Sequence, residues 1–202
     1  MNQRESQRLQ TRQTLAEHAL RLFQLQGYDE TTVDEIAGAA GVSARTFFLH
    51  FATKAAAAFP DHDGRVLGFV ERLGDGALPT NPLLHLVEVL TLGLDVSSSS
   101  RRTRYQLLDQ VPALRDEDAR TDRDYEAAVA RYLLQAWGDS PETRLRAHAI
   151  ANTALGVVRA ALIAWGTDGI DPRHVSFEML HRMLCSPFDL PLQTLHPSSP
   201  PS

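Results

Sequence analysis

Residues 32–54 read TVDEIAGAAGVSARTFFLHFATK, and the way this stretch folds decides how the rest of the chain must be arranged. Thr32 is placed to cap a helix. Glu35, three positions on, completes a capping box, because its carboxylate can reach back to the Thr32 amide. Val33, Ile36, Ala37 and Ala40 then recur at helical spacing. Gly41 stops that helix, since glycine enters the left-handed region without a Cβ penalty. Val42 is the apolar residue of the turn, and Ser43 caps a second short helix. There Phe47 and Phe51 fall on one side and should pack inward. Ala44, Arg45, Thr46, Phe48, Leu49 and His50 are left for the outer side. A helix of about seven residues does not stand alone in water, so its neighbours must hold it. Two such helices around a glycine-containing turn form a helix-turn-helix.

Upstream, Leu15, Ala19, Leu22 and Phe23 follow helical spacing from about Thr11 to Gln26, and Gly27 ends the run. This first helix should cross the two that follow. Leu15, Ala19, Phe23, Tyr28, Val33, Ile36, Val42, Phe47 and Phe51 would make a small shared core.

GVSARTFFLHF-x-x-K, preceded by TTVDEIA and by a helix ending LFQLQGY, resembles the TetR/AcrR family of helix-turn-helix regulators over roughly residues 12–59. The resemblance implies an all-α protein. Residues 1–54 would form a three-helix DNA-binding domain and residues 55–186 a helical ligand-binding and dimerisation domain. It implies that the helix 44–50 enters the major groove, with Ala44, Arg45, Thr46, Leu49 and His50 facing it behind the Ser43 cap. Thr32 and Lys54 resemble the family's phosphate ligands. Phe48 stands where the family usually carries a phosphate-binding tyrosine, and keeps only van der Waals contact with the DNA backbone.

The 202-residue chain is 43% hydrophobic and 22% charged, ordinary for a soluble globular protein. A single cysteine, Cys185, excludes an internal disulfide framework and fits a reducing cytoplasm. The start is polar throughout, unlike a signal peptide. The net charge of −5 runs against a DNA binder, and residues 1–54 balance six basic against six acidic side chains. Position therefore has to matter more than total. Arg4, Arg8 and Arg12 lie in the leading segment and could approach phosphate or the minor groove. Lys54, the only lysine, is expected at a helix start, where free amides add to its charge.

A fourth helix is expected from Thr53 through AAAAF, broken near Pro60, with Asp61 or Asp63 capping a second piece to about Leu73. Gly74, Asp75, Gly76, Pro79 and Pro82 mark a loop, and Asn81 caps a helix of about 82–95. Arg101, Arg102 and Arg104 read as a solvated face. A helix follows Pro112, spanning roughly 114–137. From Ala147 to Trp165, His148, Asn152 and Arg159 share one narrow stripe, leaving an apolar arc of roughly 240°. Such a helix needs cover on two sides, and a second subunit is the natural second cover. Arg159 and modest length argue against a membrane span. With a last helix from Asp171-Pro172 to about Leu184, this pair resembles the family's dimer interface, so a homodimer through 144–166 and 172–184 is expected. His174, Glu178 and His181 share a face that permits metal, but an interface or solvated face is the preferred reading. The tail 187–202, rich in proline and serine, is expected to be disordered.

The sequence thus predicts a cytoplasmic, ligand-responsive transcriptional regulator. It would act as a repressor that binds a near-palindromic operator as a homodimer. Its pocket candidates for a small-molecule effector are His85, Tyr105, Trp137, Asn152, Arg159 and Trp165. One alternative is a ligand sensor or adaptor that has lost DNA binding. The other, an enzyme of helical-bundle type, is disfavoured because HExxH, GxSxG, GxGxxG and P-loop signatures are all missing. No catalytic residue, metal site or cofactor is expected.

Overall fold

The computed structural model describes residues 3–74, 79–92, 94 and 96–185, apart from the side chains of His174, Val175 and Cys185. The predicted tail 187–202 and residues 75–78 of the predicted loop lie outside the described residues. Helix α1 spans Gln3–Gln26, longer than its apolar spacing suggested because the polar first turns continue the same helix. It buries Leu15, Ala16, Ala19, Leu20 and Phe23. Helices α2 (Val33–Ala39) and α3 (Ala44–His50) lie where the caps place them. Gly41, with φ 69°, turns the chain between them.

The helix expected through AAAAF is instead one 3₁₀ turn, Ala55–Ala58, closed before Pro60. A short alanine run next to proline cannot propagate α-helical bonding, so only the tighter turn survives. Helix α4 (His62–Leu73) starts after Asp61, as expected, but the Asp61 side chain makes no capping bond to it and pairs with Arg65 instead. Then come α5 (Pro82–Leu92), α6 (Ser99–Leu108), α7 (Pro112–Trp137), α8 (Pro141–Asp168) and α9 (Pro172–Leu180), which runs into a π turn, His181–Cys185. Among the described residues there is no strand, as an all-α fold requires.

Two apolar clusters hold the molecule together. One joins α1, α2, α3 and the 3₁₀ turn to Tyr105, Leu108, Leu162 and Trp165 of α6 and α8. It continues without a break past residue 54. The other packs α4 and α5 against α7, α8 and α9. Helix α8 is long and apolar enough to cross a membrane by length and composition. Half of that apolar window is buried within the bundle, which is what a central core helix looks like.

The polar stripe of α8 has a partner. Asp118, Asp122 and Glu126, each four residues apart on α7, face Arg159, Asn152 and His148. Arg159 Nε lies 3.0 Å from Asp118 Oδ2, and Nη2 contacts Asp122. Asn152 Nδ2 donates to Glu126 at 2.9 Å. At the α6–α8 crossing Gly166 admits the α6 backbone, since a Cβ there would meet Gln106 N and Tyr105 C at 3.0 Å.

Candidate nucleic-acid interface and ligand cavity

The second helix of the helix-turn-helix is held from behind and open in front. Phe47 is fully buried and Phe51 is 3% exposed, whereas Phe48 and Leu49 are 57% and 69% exposed. Arg45 is exposed beside them, and Ala44, Thr46 and His50 are half-buried. Ser43 Oγ accepts the Thr46 amide at 3.2 Å, fixing the start of α3. Burial, then the charges of Arg12 and Arg8, push the His50 imidazole below its ordinary pKa. Arg8 is exposed on α1, near enough to His50 for its charge to act on the ring.

The flanking phosphate candidates are engaged within the protein, with Lys54 at the start of the 3₁₀ turn as expected. Lys54 Nζ donates to the carbonyls of Tyr28 at 2.6 Å, Thr31 at 2.8 Å and Asp29 at 3.3 Å, and sits 4.2 Å over the Tyr28 ring. An ammonium has three protons, so this set engages them all. Lys54 ties down the α1–α2 loop. Thr32 directs its amide and hydroxyl to Glu35 Oε2, at 2.8 and 2.9 Å, within the capping box. Its donors therefore serve the cap, beside a carboxylate that a phosphate would have to approach. Arg12 is also inward. It donates to His50 O and, at 2.6 Å, to Pro60 O, with its guanidinium 4.2 Å over Phe51.

A cavity of about 410 Å³ opens between the helix-turn-helix and the larger bundle. Ala16 and Leu20 of α1, Phe69 of α4, Tyr105 of α6 and Leu162 of α8 contribute to its walls. Of the six pocket candidates, Tyr105 and Arg159 line it. The other four lie elsewhere: His85 beside the Tyr132 ring at 5.9 Å, Trp137 under Arg146 at 4.5 Å, Asn152 against Glu126, and Trp165 in the core. The supposed solvated face of α6 also needs correction. Arg104 is 3% exposed, donates to Ala58 O at 2.9 Å and lines the cavity. Arg104 lies two residues beyond Arg102, about 200° around the helix, so it turns to the opposite face, and a basic run in sequence does not record that rotation. Arg65, Asp118 and Asp122 also line the cavity. The matched four-residue spacings on α7 and α8 are the signal that could have found the two aspartates.

The helix-turn-helix with its buried rear and open front agrees with two family models. Residues 15–56 match the N-terminal model described as bacterial regulatory proteins, tetR family, and residues 95–186 match the MftR C-terminal domain. The chain belongs to the TetR family. Among TetR-family relatives, it is 29% identical over 164 residues to the HTH-type transcriptional regulator TcmR of Streptomyces glaucescens, covering 77% of this chain and 73% of that one. It is 26% identical over 158 residues to MftR of Mycobacterium tuberculosis, covering 76% and 79%. The Thermus thermophilus FadR, a TetR-family repressor solved with lauroyl-CoA, shares the fold with a TM-score of 0.56 at 22% identity, over 95% of this chain and 98% of that one. A TetR-family chain of this kind is a DNA-binding transcriptional regulator.

Proposed function

We propose that this regulator represses transcription from a near-palindromic operator as a homodimer and is released by a small ligand in the cavity. The observation that carries the DNA half is the open front of α3, with Arg45, Phe48 and Leu49 exposed over a buried Phe47. Two copies would occupy successive major grooves about one turn apart. Arg45 is the base reader, since a guanidinium pairs with guanine bidentately, the Leu49 side chain suits a thymine methyl, and Phe48 keeps its van der Waals contact with the DNA backbone. Arg8 supplies a phosphate contact, and Ala44, Thr46 and His50 complete the groove face.

The division of labour follows the chain, with residues 1–54 contacting DNA and residues 55–186 sensing and pairing. On α8, Ala149, Gly156 and Ala160 are exposed and small, and on α9 Phe177 and Met179 are exposed. This surface supports a dimer built on α8 and α9. Because the cavity touches α1 as well as α4, α6, α7 and α8, an occupant bears directly on the angle of the DNA-binding unit. Release requires the ligand to prefer one angle over the other. The fold holds lauroyl-CoA in the Thermus FadR, which supports effector binding here.

A gel-shift against the DNA upstream of the protein's own gene tests this reading. Selective, salt-sensitive binding is the expected result. Uniform or absent binding would favour a sensor without DNA function, the reading suggested by Phe48 in the tyrosine position and the balanced charge of residues 1–54.

A further inference from the structure

The cavity wall holds a buried cation with no acid beside it. Among the described residues the cavity lining carries five arginines, at 65, 72, 101, 104 and 159, and the acids Glu17, Asp61, Asp118 and Asp122. The aspartates are committed. Asp118 and Asp122 pair with Arg159, and Asp61 pairs with Arg65 at 3.4 Å. Arg104 is the buried cation without an acid: among the described residues no carboxylate lies within 4.0 Å of it. Its Nε has no hydrogen-bond partner, and its other support is the Ala58 carbonyl and the faces of Phe59 and Tyr105, 5.0 and 5.3 Å from the guanidinium. Burial, with Arg65 and Arg101 adding like charge, lowers its pKa to about 10, so it remains a cation at neutral pH. A buried charge held this way is costly until a counter-ion joins it.

We propose that the effector is an organic acid whose carboxylate sits against Arg104, with Arg65 and Arg101 alongside, and whose apolar body lies along Phe69, Leu90, Leu155 and Leu162. This rests on reading the cavity as the effector site. A monoanion suits Arg104, the buried cation with no carboxylate beside it among the described residues. A guanidinium edge accepts a carboxylate in a bidentate pair, while Nη1 keeps its bond to Ala58. The acid group would thereby fasten the ligand to the 3₁₀ turn that follows α3. The apolar part would cover the aliphatic wall that a free inorganic anion leaves wet.

Calorimetric titration of the DNA-free protein with decanoate, 1-decanol and decylammonium tests the proposal. Decanoate should bind roughly tenfold or more tighter than the alcohol, the range of a charge-assisted hydrogen bond, and decylammonium weakest. Arg104→Gln should abolish the preference for acid over alcohol while retaining the alcohol. Should that variant fail to fold, Arg65→Gln is expected to narrow the preference severalfold. Equal affinity for decanoate and decanol, tighter binding of decylammonium, a preference that survives Arg104→Gln, or no binding of any probe would each overturn the proposal. The operator assay is run separately without probe. Its failure would count against the regulator reading and leave the acid comparison legible.

Discussion

At the scale of single residues, Arg45 and Lys54, two cations of the helix-turn-helix motif, are placed quite differently. Arg45 is exposed on the open face, so Arg45→Ala should cost about 1–3 kcal/mol of discrimination at particular base pairs and little stability. Titrations against single-base operator variants measure it. Lys54 has spent its protons on three carbonyls of the α1–α2 loop. Lys54→Met should therefore lower resistance to denaturant by roughly 1–3 kcal/mol and weaken operator binding. The slope of binding against salt should stay at the wild-type value, because no phosphate contact is lost. A flattened slope would return Lys54 to the phosphate-ligand role that its position in the motif suggests. Nothing in the sequence separates those two roles, since the carbonyls that claim the ammonium lie 23 to 26 residues away.

Among elements, local chemistry was legible and crossings were not. The capping box at Thr32 and Glu35, the Ser43 cap and the Gly41 turn all form as their spacing predicts. Glu35 accepts the Thr32 amide, which holds its carboxyl below the usual range. The sign follows: this contribution is complete above the unfolded carboxyl pKa and disappears as pH falls through the lowered folded value. The stability gap between wild type and Glu35→Ala should thus close in acid, as thermal melts across pH would show. The α6–α8 crossing is different. Gly166 looks like any helical glycine in sequence, yet α6 backbone atoms stand 3.0 Å from where its Cβ would be. Gly166→Ala should force the helices apart and destabilise the protein by about 1–3 kcal/mol, despite alanine's better helix propensity. Denaturant unfolding of the purified variant measures that loss.

For the whole molecule, the proposed assembly and the proposed signalling would meet on α8, whose one side faces the cavity while the other carries small exposed residues. Gly156 has nothing within 4 Å of a Cβ, so Gly156→Glu should leave the single chain at least as stable while blocking a second α8. Sedimentation should show half the wild-type mass, and operator affinity should fall steeply because paired half-sites are lost. An unchanged mass would move the dimer surface away from α8. What the sequence by itself determined was the helix-turn-helix, because its caps, turn glycine and paired phenylalanines act over three or four residues. Only the tertiary structure decided where the cations go: Lys54 to a loop, Arg12 to the end of α3, Arg104 to Ala58 and the cavity. A long charged side chain takes whatever acceptor folding brings within reach, and those acceptors come from parts of the chain that only packing brings together.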